Sequence, residues 1–190
     1  MLTNMNGRAV GIVLLALSVG VNVLQAQKIR GMVGFADKKG ALVGTKASPI
    51  EAQALDGRPV RVTFDTGLPT VLYYFSPTCG WCDRNWTNLE ALAANAKGRY
   101  RVVALTSAQG IRPYAQKHAL RVEVLEALPE DALQTYRFAA TPHTVVVDAY
   151  GFVTHEWQGA FLNSVANRVE DLFGLVLPGL SSPRASERPQ

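Results

Sequence analysis

The sequence predicts an α/β fold in which a central mixed β-sheet is covered by helices on both of its faces. Apolar, β-prone runs alternate with segments of helical periodicity over residues 71–136, which is typical of parallel strands joined by helices. A hairpin pattern and a last amphipathic segment follow over residues 144–176. The 190 residues suit one domain with a short appendage, and 48% hydrophobic with 18% charged residues excludes collagen-like, coiled-coil and wholly disordered proteins.

The first predicted elements lead to a pair of cysteines. Residues 61–64 alternate and follow the turn dipeptide Asp56-Gly57, which indicates one arm of a hairpin. The continuous apolar run at 71–75 predicts a strand buried on both faces. A helix is predicted over 79–96, because one helical face collects Cys82, Trp86, Leu89, Ala93 and Ala96.

The later elements complete the sheet and its covering helices. The predicted strands cover residues 101–105, 122–125, 144–148 and 152–157. The predicted helices cover residues 111–120, 131–136 and 161–176. Ala149-Tyr150-Gly151 is predicted to turn the chain between the last two strands.

The two chain ends differ from the folded part. The apolar run at 9–26 is long enough for a signal sequence or a slightly short membrane span. Leu24 would stand where a cleavage site after residue 26 prefers a small residue, so we favour an uncleaved anchor. The predicted organisation is therefore an anchor or signal sequence at 1–26, a linker at 27–41, a folded domain at 42–177 and a disordered tail at 178–190.

The charge distribution argues against a nucleic-acid partner. The net charge is +4, but residues 42–177 hold 12 Lys and Arg against 13 Asp and Glu. The basic excess therefore lies in the flanks, beside the apolar run, where a membrane is the simpler partner. More basic residues follow that run than precede it, which taken alone would keep the domain in the cytoplasm. The two cysteines, whose chemistry is described next, favour the extracytoplasmic side, and we give them greater weight than the charge distribution.

Cys79 and Cys82 form a Cys-Gly-Trp-Cys motif between the buried strand and the amphipathic helix. Unpaired backbone N–H groups at a helix start, together with the helix dipole, stabilise a thiolate there. Cys82 falls on the apolar face and is expected to be shielded, whereas Cys79 is expected to face solvent. The pattern thus predicts Cys79 as the attacking nucleophile and Cys82 as the resolving thiol.

Two other interpretations of the motif are weaker. Half of a zinc site would need a second cysteine pair or closely spaced histidines, and the sequence has neither, so no metal is predicted. A purely structural disulfide between residues three apart would close a very small loop and add little stability. The sequence also lacks a GxGxxG motif, so no nucleotide cofactor is expected.

The segment VLYYFSPTCGWC, the upstream segment VGTKASPIEAQALDGRPVRV and the later pair Thr141-Pro142 resemble the thioredoxin superfamily. The membrane-tethered TlpA/ResA-like thiol–disulfide oxidoreductases are its most similar branch, and the resemblance covers about residues 42–175. It implies a thioredoxin-like three-layer α/β/α sandwich. It also implies a cis peptide bond before Pro142, beside the cysteines, with the backbone of Thr141 left to pair with an extended substrate.

The sequence departs from that family at three positions. Thioredoxin has a buried acidic residue six positions before the first cysteine, where this chain has Tyr73. ResA-like proteins often have a glutamate three positions after the second cysteine, where this chain has Asn85. We therefore expect resolution by Cys82 to rely on solvent or on an unidentified group. Trp81 replaces the family's proline between the cysteines, leaves the direction of electron flow open, and is expected to contact the partner.

The resemblance implies an enzyme: an extracytoplasmic, periplasmic thiol–disulfide oxidoreductase serving cytochrome c maturation or general thiol reduction. Its partners would be protein thiols or disulfides and a membrane electron donor or acceptor.

One alternative is a copper-binding assembly factor, although that family has its cysteines four apart and this chain has them three apart. His143 would tune the thiolate, bind copper with the cysteines, or be an ordinary surface or strand histidine. The other alternative is a peroxiredoxin-like peroxidase, whose cysteine loop the local sequence does not fit. His118 and His155 are predicted surface residues.

Overall fold

The computed structural model describes residues 14, 15, 17 and 18 and the continuous segment 41–181. The chain divides into two compact units, Met1–Lys38 and Lys39–Gln190. Most of the predicted anchor at 1–26 and linker at 27–41, and the tail beyond Ser181, lie outside the described residues. No helix within the described residues has the length and apolar character that a membrane crossing requires.

The larger unit is built on a seven-stranded sheet with the order β2-β1-β5-β4-β3-β6-β7. Its strands are β1 (Ile50–Ala54), β2 (Pro59–Val62), β3 (Thr70–Tyr74), β4 (Arg101–Leu105), β5 (Glu123–Glu126), β6 (His143–Val147) and β7 (Val153–Gln158). Its helices are α1 (Gly80–Ala96), α2 (Arg112–Lys117), α3 (Glu130–Thr135) and α4 (Ser164–Phe173). Strands β3, β4 and β5 are parallel and the other pairs are antiparallel, so the sheet is mixed as predicted.

Each face of the sheet carries its own apolar core, which confirms the three-layer arrangement. One core packs α1, α2 and α4 against Val71, Tyr73 and Phe75. The other packs α3 against Leu72 and Tyr74. Successive residues of β3 thus serve opposite faces, as the pleat of a strand requires, and its five residues are all buried.

The structure differs from the predicted elements in ways that have local causes. Strand β1 was not predicted, because it buries only Ile50 and the small Ala52 on one side and is otherwise polar or half-exposed. Helix α2 ends early, since Ala119 adopts a left-handed conformation with φ of 48°. Helix α4 ends at Gly174, whose φ of 63° forms the usual left-handed cap. The other boundaries move by one to three residues.

Candidate active site

Cys79 lies at the amino-terminal cap of α1, directly after the turn that follows β3. Its backbone is extended, with φ of −89° and ψ of 106°, and its Sγ accepts a hydrogen bond from the Cys82 N–H at 3.2 Å. The sulfur thus takes the role that Ser, Thr, Asp or Asn oxygens usually have at a cap. Cys79 is partly exposed, so an accessible sulfur stands at the positive end of the helix dipole.

Cys82 is a free thiol with no exposed surface, one turn into the same helix. Burial raises its pKa well above the ordinary range, and the adjacent Cys79 thiol raises it further. Interactions with the Ser76 backbone and the Thr141 side chain favour the thiolate and lower the pKa, but they do not outweigh burial. The predicted shielding of Cys82 is therefore confirmed, and in the resting dithiol this residue is protonated.

The loop before β6 brings Thr141 and Pro142 against the cysteine pair. Strand β6 runs antiparallel to β3 with His143 opposite Tyr74, which places the preceding residues beside the end of β3. The Thr141–Pro142 bond is cis, as the family resemblance implied. The thiol of Cys79 donates to the Thr141 carbonyl oxygen at 3.6 Å. Thr141 is half-buried, so its backbone lies at the margin of the sulfur site.

Trp81 forms the exposed rim of the site, as expected. Its side chain is 51% exposed, and the guanidinium of Arg84 lies 4.9 Å from the ring centroid. Arg84 also donates from Nε to the Ser181 carbonyl at 3.1 Å. The indole is thus supported from one side and open to a partner on the other.

A series of hydrogen-bonded, buried polar side chains follows Cys82 in α1, and the sequence did not predict it. Asn85 and Asn88 have no exposed surface and lie three and six residues after Cys82 in α1. The Asn85 amide nitrogen donates to the Tyr73 hydroxyl at 3.1 Å, and Asn88 donates to the Asn85 carbonyl oxygen at 3.0 Å. The sequence feature that could have predicted their burial is their spacing, because both asparagines follow Cys82 at steps of three along the buried face of α1.

A second polar cluster joins α1 to α2 and corrects the prediction for His118. Its imidazole is only 5% exposed, its ring centroid lies 4.3 Å from that of Tyr114 in a tilted arrangement, and its Nε2 lies 3.8 Å from Oδ1 of Asp83. The Tyr114 hydroxyl donates to Asp83 and accepts from the Trp86 indole N–H at 2.8 Å. Tyr114 and His118 are four residues apart and share one side of the chain as it leaves α2, a relation that no motif marks.

His143 does not join the cysteines. It shares its face of β6 with Val145 and Val147, which belong to the core on the other side of the sheet. Its Nε2 lies 3.1 Å from Glu156, and burial lowers its pKa while Glu156 opposes that shift. The strand-histidine interpretation is confirmed, the described residues hold no ligand cluster that would support copper binding, and the role in thiolate tuning stays a prediction.

The remaining sequence predictions on histidines and metals concern His155 and possible ligand clusters. His155 is half-buried, and its ring centroid lies 5.4 Å from that of Trp157, so it is a surface residue that is partly covered. The described residues contain no group of three or more His, Cys, Asp or Glu side chains placed to hold a metal ion.

Comparisons with known proteins place the fold. No family model matches the chain, and no curated protein matches it. A putative thiol:disulfide interchange protein DsbE from Chlorobium tepidum aligns with a TM-score of 0.60 at 18% identity, over 69% of this chain and 94% of that one. The exposed lipoprotein thioredoxin of Streptococcus pneumoniae aligns with a TM-score of 0.57 at 18% identity, over 67% and 100%. A secreted disulfide oxidoreductase of Mycobacterium tuberculosis gives 0.52 at 22% identity, over 65% and 91%.

The larger unit therefore has the thioredoxin fold, as the sequence resemblance implied. The three solved structures named above are described as a putative thiol:disulfide interchange protein, a lipoprotein thioredoxin and a disulfide oxidoreductase.

Proposed function

We propose that this protein is a thiol–disulfide oxidoreductase that exchanges disulfides with protein substrates. The observation that carries the proposal is the unequal pair of free thiols, with Cys79 accessible at the cap of α1 and Cys82 fully buried one turn behind it. An accessible thiol at the start of a helix and a sheltered second thiol are the two parts that stepwise exchange requires.

The first step is attack by the Cys79 thiolate on a substrate disulfide. A bond forms between the Cys79 sulfur and one substrate sulfur, and the substrate disulfide bond breaks. The second substrate sulfur leaves as a thiolate and takes a proton from water. The Cys82 N–H, which donates to the Cys79 sulfur, stabilises the attacking anion before the step.

The second step is attack by Cys82 on the Cys79 sulfur of the mixed disulfide. Cys82 gives its proton to water, the Cys79–Cys82 bond forms, the bond to the substrate breaks, and the departing substrate thiolate takes a proton from water. The substrate gains two electrons, which the cysteine pair loses. The same steps in reverse oxidise a substrate dithiol, and the reduction potential of the pair decides the direction.

The substrate would lie along the loop that holds Thr141 and Pro142. Thr141 is half-buried and its carbonyl oxygen lies within reach of the Cys79 sulfur, so an extended peptide pairing with this backbone would bring its own sulfur to Cys79. Trp81 offers an exposed aromatic surface on the other side of the same sulfur site. We assign substrate binding to Trp81, Thr141 and Pro142 on this basis.

The site of action would be extracytoplasmic, with the apolar run at 9–26 as a membrane anchor and a membrane protein as electron donor or acceptor. Support comes from that run and from the secreted or surface-exposed oxidoreductases among the structural neighbours. Disulfides of exported proteins, apocytochrome c among them, are the proposed substrates. Expression of the full chain in a bacterial host tests the location: it should sediment with membranes and be digested by protease added to the periplasm. Recovery of protected protein in the cytosol would contradict it.

Trapping the mixed disulfide tests the catalytic assignment in the full chain. The Cys82→Ser variant should accumulate a covalent adduct with a disulfide-bonded protein such as insulin, whereas Cys79→Ser should form none. The wild type should turn insulin over when dithiothreitol supplies electrons. The proposal fails if the wild type accelerates insulin reduction no more than the variant with both cysteines replaced by serine.

A further inference from the structure

Tyr73 occupies the centre of the core beneath the cysteine pair. Its side chain has no exposed surface and packs between Trp86 and Phe161, with ring centroids 5.7 and 6.1 Å away. Its hydroxyl meets the Asn85 amide at 3.1 Å. Because Asn85 follows Cys82 by three residues, the two lie on adjoining turns of one helix face, and Tyr73, which Asn85 contacts, belongs to the same buried core as Cys82.

The orientation of the Asn85 amide is fixed by its neighbours. The backbone N–H of Phe161 and the amide nitrogen of Asn88 both donate to Asn85 Oδ1, each at 3.0 Å. Asn88 is fixed in turn, because the Gly179 N–H donates to its Oδ1 at 2.9 Å. Only an oxygen can accept these bonds, so the NH₂ group of Asn85 must face Tyr73.

The direction of that bond determines what Tyr73 can do. The hydroxyl oxygen accepts from Asn85, so its own proton points elsewhere. Among the described residues, Asn85 is the one hydrogen-bond partner of this hydroxyl. A buried O–H without an acceptor is costly, and a thiolate accepts a hydrogen bond far better than a thiol does.

We propose that the Tyr73 hydroxyl donates a hydrogen bond to the Cys82 sulfur as it becomes a thiolate, and so promotes resolution of the mixed disulfide. The inference rests on the proposed function and identifies the group that the chain uses in place of a buried carboxylate. Burial, reinforced by the charge of Cys82, raises the pKa of Tyr73 well above its usual range. The hydroxyl therefore keeps its proton, so it can donate that proton in a hydrogen bond to Cys82 while its oxygen accepts from Asn85.

The proton balance of the resolving step is unchanged by this contact. Cys82 first gives its proton to water; its thiolate then attacks, the Cys79–Cys82 bond forms, the bond to the substrate breaks, and the substrate leaves as a thiolate that can take a proton from water. Tyr73 neither gains nor loses a proton. Its hydrogen bond lowers the free energy of the Cys82 anion that makes the attack, and in the reverse direction it stabilises Cys82 as the leaving group.

The test is single turnover of the reduced full chain with the chromogenic disulfide dithiobis(nitrobenzoate). Cys79 attack releases one coloured nitrothiobenzoate, and Cys82 attack then releases a second, so the two steps give separate absorbance phases. In Tyr73→Phe the second phase should slow about tenfold at neutral pH, the loss expected for one hydrogen bond to a charged group. The pH at which this phase reaches half of its maximum rate should rise by about one unit, and the first phase should be unchanged.

Tyr100→Phe is the matched control. Its hydroxyl is also buried but donates to the Leu92 carbonyl at 2.8 Å, at the far end of α1 from the cysteines. Both phases and their pH profiles should match the wild type in this variant. An equal slowing in Tyr100→Phe, or an unchanged second phase in a folded Tyr73→Phe, would overturn the inference.

Asn85→Asp tests the bond direction without removing Tyr73. A carboxylate oxygen would replace the amide nitrogen and accept the Tyr73 proton, so the second phase should slow as in Tyr73→Phe. A second phase as fast as or faster than the wild type would contradict the inference. Absence of the first phase in the wild type would instead refute the proposed function, which keeps the two failures distinct.

Discussion

Asn88 ties the end of the described chain to α1, and its replacement by alanine should destabilise the domain. Its amide nitrogen donates to Asn85 and, at 3.3 Å, to the Phe161 carbonyl oxygen. Its Oδ1 accepts from the backbone N–H of Gly179. The residue has no exposed surface, so water cannot replace these partners without opening the structure.

The expected cost follows from which partners remain unsatisfied. Asn85 Oδ1 keeps its bond from Phe161, so it is still paired in the variant. The Phe161 carbonyl oxygen and the part-buried Gly179 N–H lose their partner, and each costs about 1–2 kcal/mol. Alanine returns about 0.6 kcal/mol because it is the better helix former. The free energy of unfolding should therefore fall by about 2–3 kcal/mol.

Urea denaturation of the full chain measures this change, with Thr87→Ala as the control. Thr87 precedes Asn88 in α1 and also bonds Gly179, donating to its carbonyl at 3.0 Å, but it is exposed. Its loss should cost less than about 1 kcal/mol, since water replaces the bond. If Asn88→Ala lowers the free energy of unfolding no more than Thr87→Ala does, with the denaturant slope unchanged, the prediction that the buried Asn88 amide stabilises the domain more than the exposed Thr87 hydroxyl is wrong.

Three further outcomes are expected. Burial lowers the pKa of His143, so below about pH 6.5 the unfolded chain binds a proton that the native state does not, and the free energy of unfolding decreases as the pH is lowered. In His143→Gln this decrease between pH 7.5 and 5.5 should be smaller. Equal pH slopes of the two proteins in urea titrations would contradict the prediction. Iodoacetamide should label Cys79 more than about tenfold faster than Cys82 in the native protein, because Cys82 is buried, whereas equal peptide labelling by mass spectrometry would contradict the assigned roles. Trp81→Ala should raise the KM for insulin several-fold, because a protein substrate extends over the exposed indole. The rate of the first nitrothiobenzoate phase should stay within about twofold of the wild type. Equal losses in insulin reduction and in this phase would contradict a substrate-binding role.

The elements with strong periodicity were predictable from the sequence, and their partners were not. The run at 71–75 is apolar at every position, which leaves a strand buried on both faces as the consistent reading. Strand β1 shows weak alternation, and it is fixed by pairing with both β2 and β5. The pairing with β5 depends on contacts that are distant in sequence, which a window of neighbouring residues does not contain.

The same distinction applies to the site. Cys79, Cys82 and Trp81 could be assigned because one motif at a strand–helix junction determines their environment. Tyr114 and His118 approach α1 only through the packing of α2, so their contact with Asp83 left no local mark. His143 follows the cis proline in sequence, but the alternation of β6 turns it to the other face of the sheet.

The polar chain beneath the cysteines explains how a core without a buried carboxylate can still serve thiol chemistry. A carboxylate at Tyr73 or Asn85 would add a negative charge beside Cys82 and disfavour the thiolate, although it would accept the proton. Neutral groups would reverse that balance: in the proposed arrangement the Asn85 amide orients the Tyr73 hydroxyl, which stabilises the anion and takes no proton. The proton of Cys82 must then go to water before the attack. A site of this kind should still resolve mixed disulfides fastest when the leaving thiol has a low pKa, as thiol–disulfide exchange does in general.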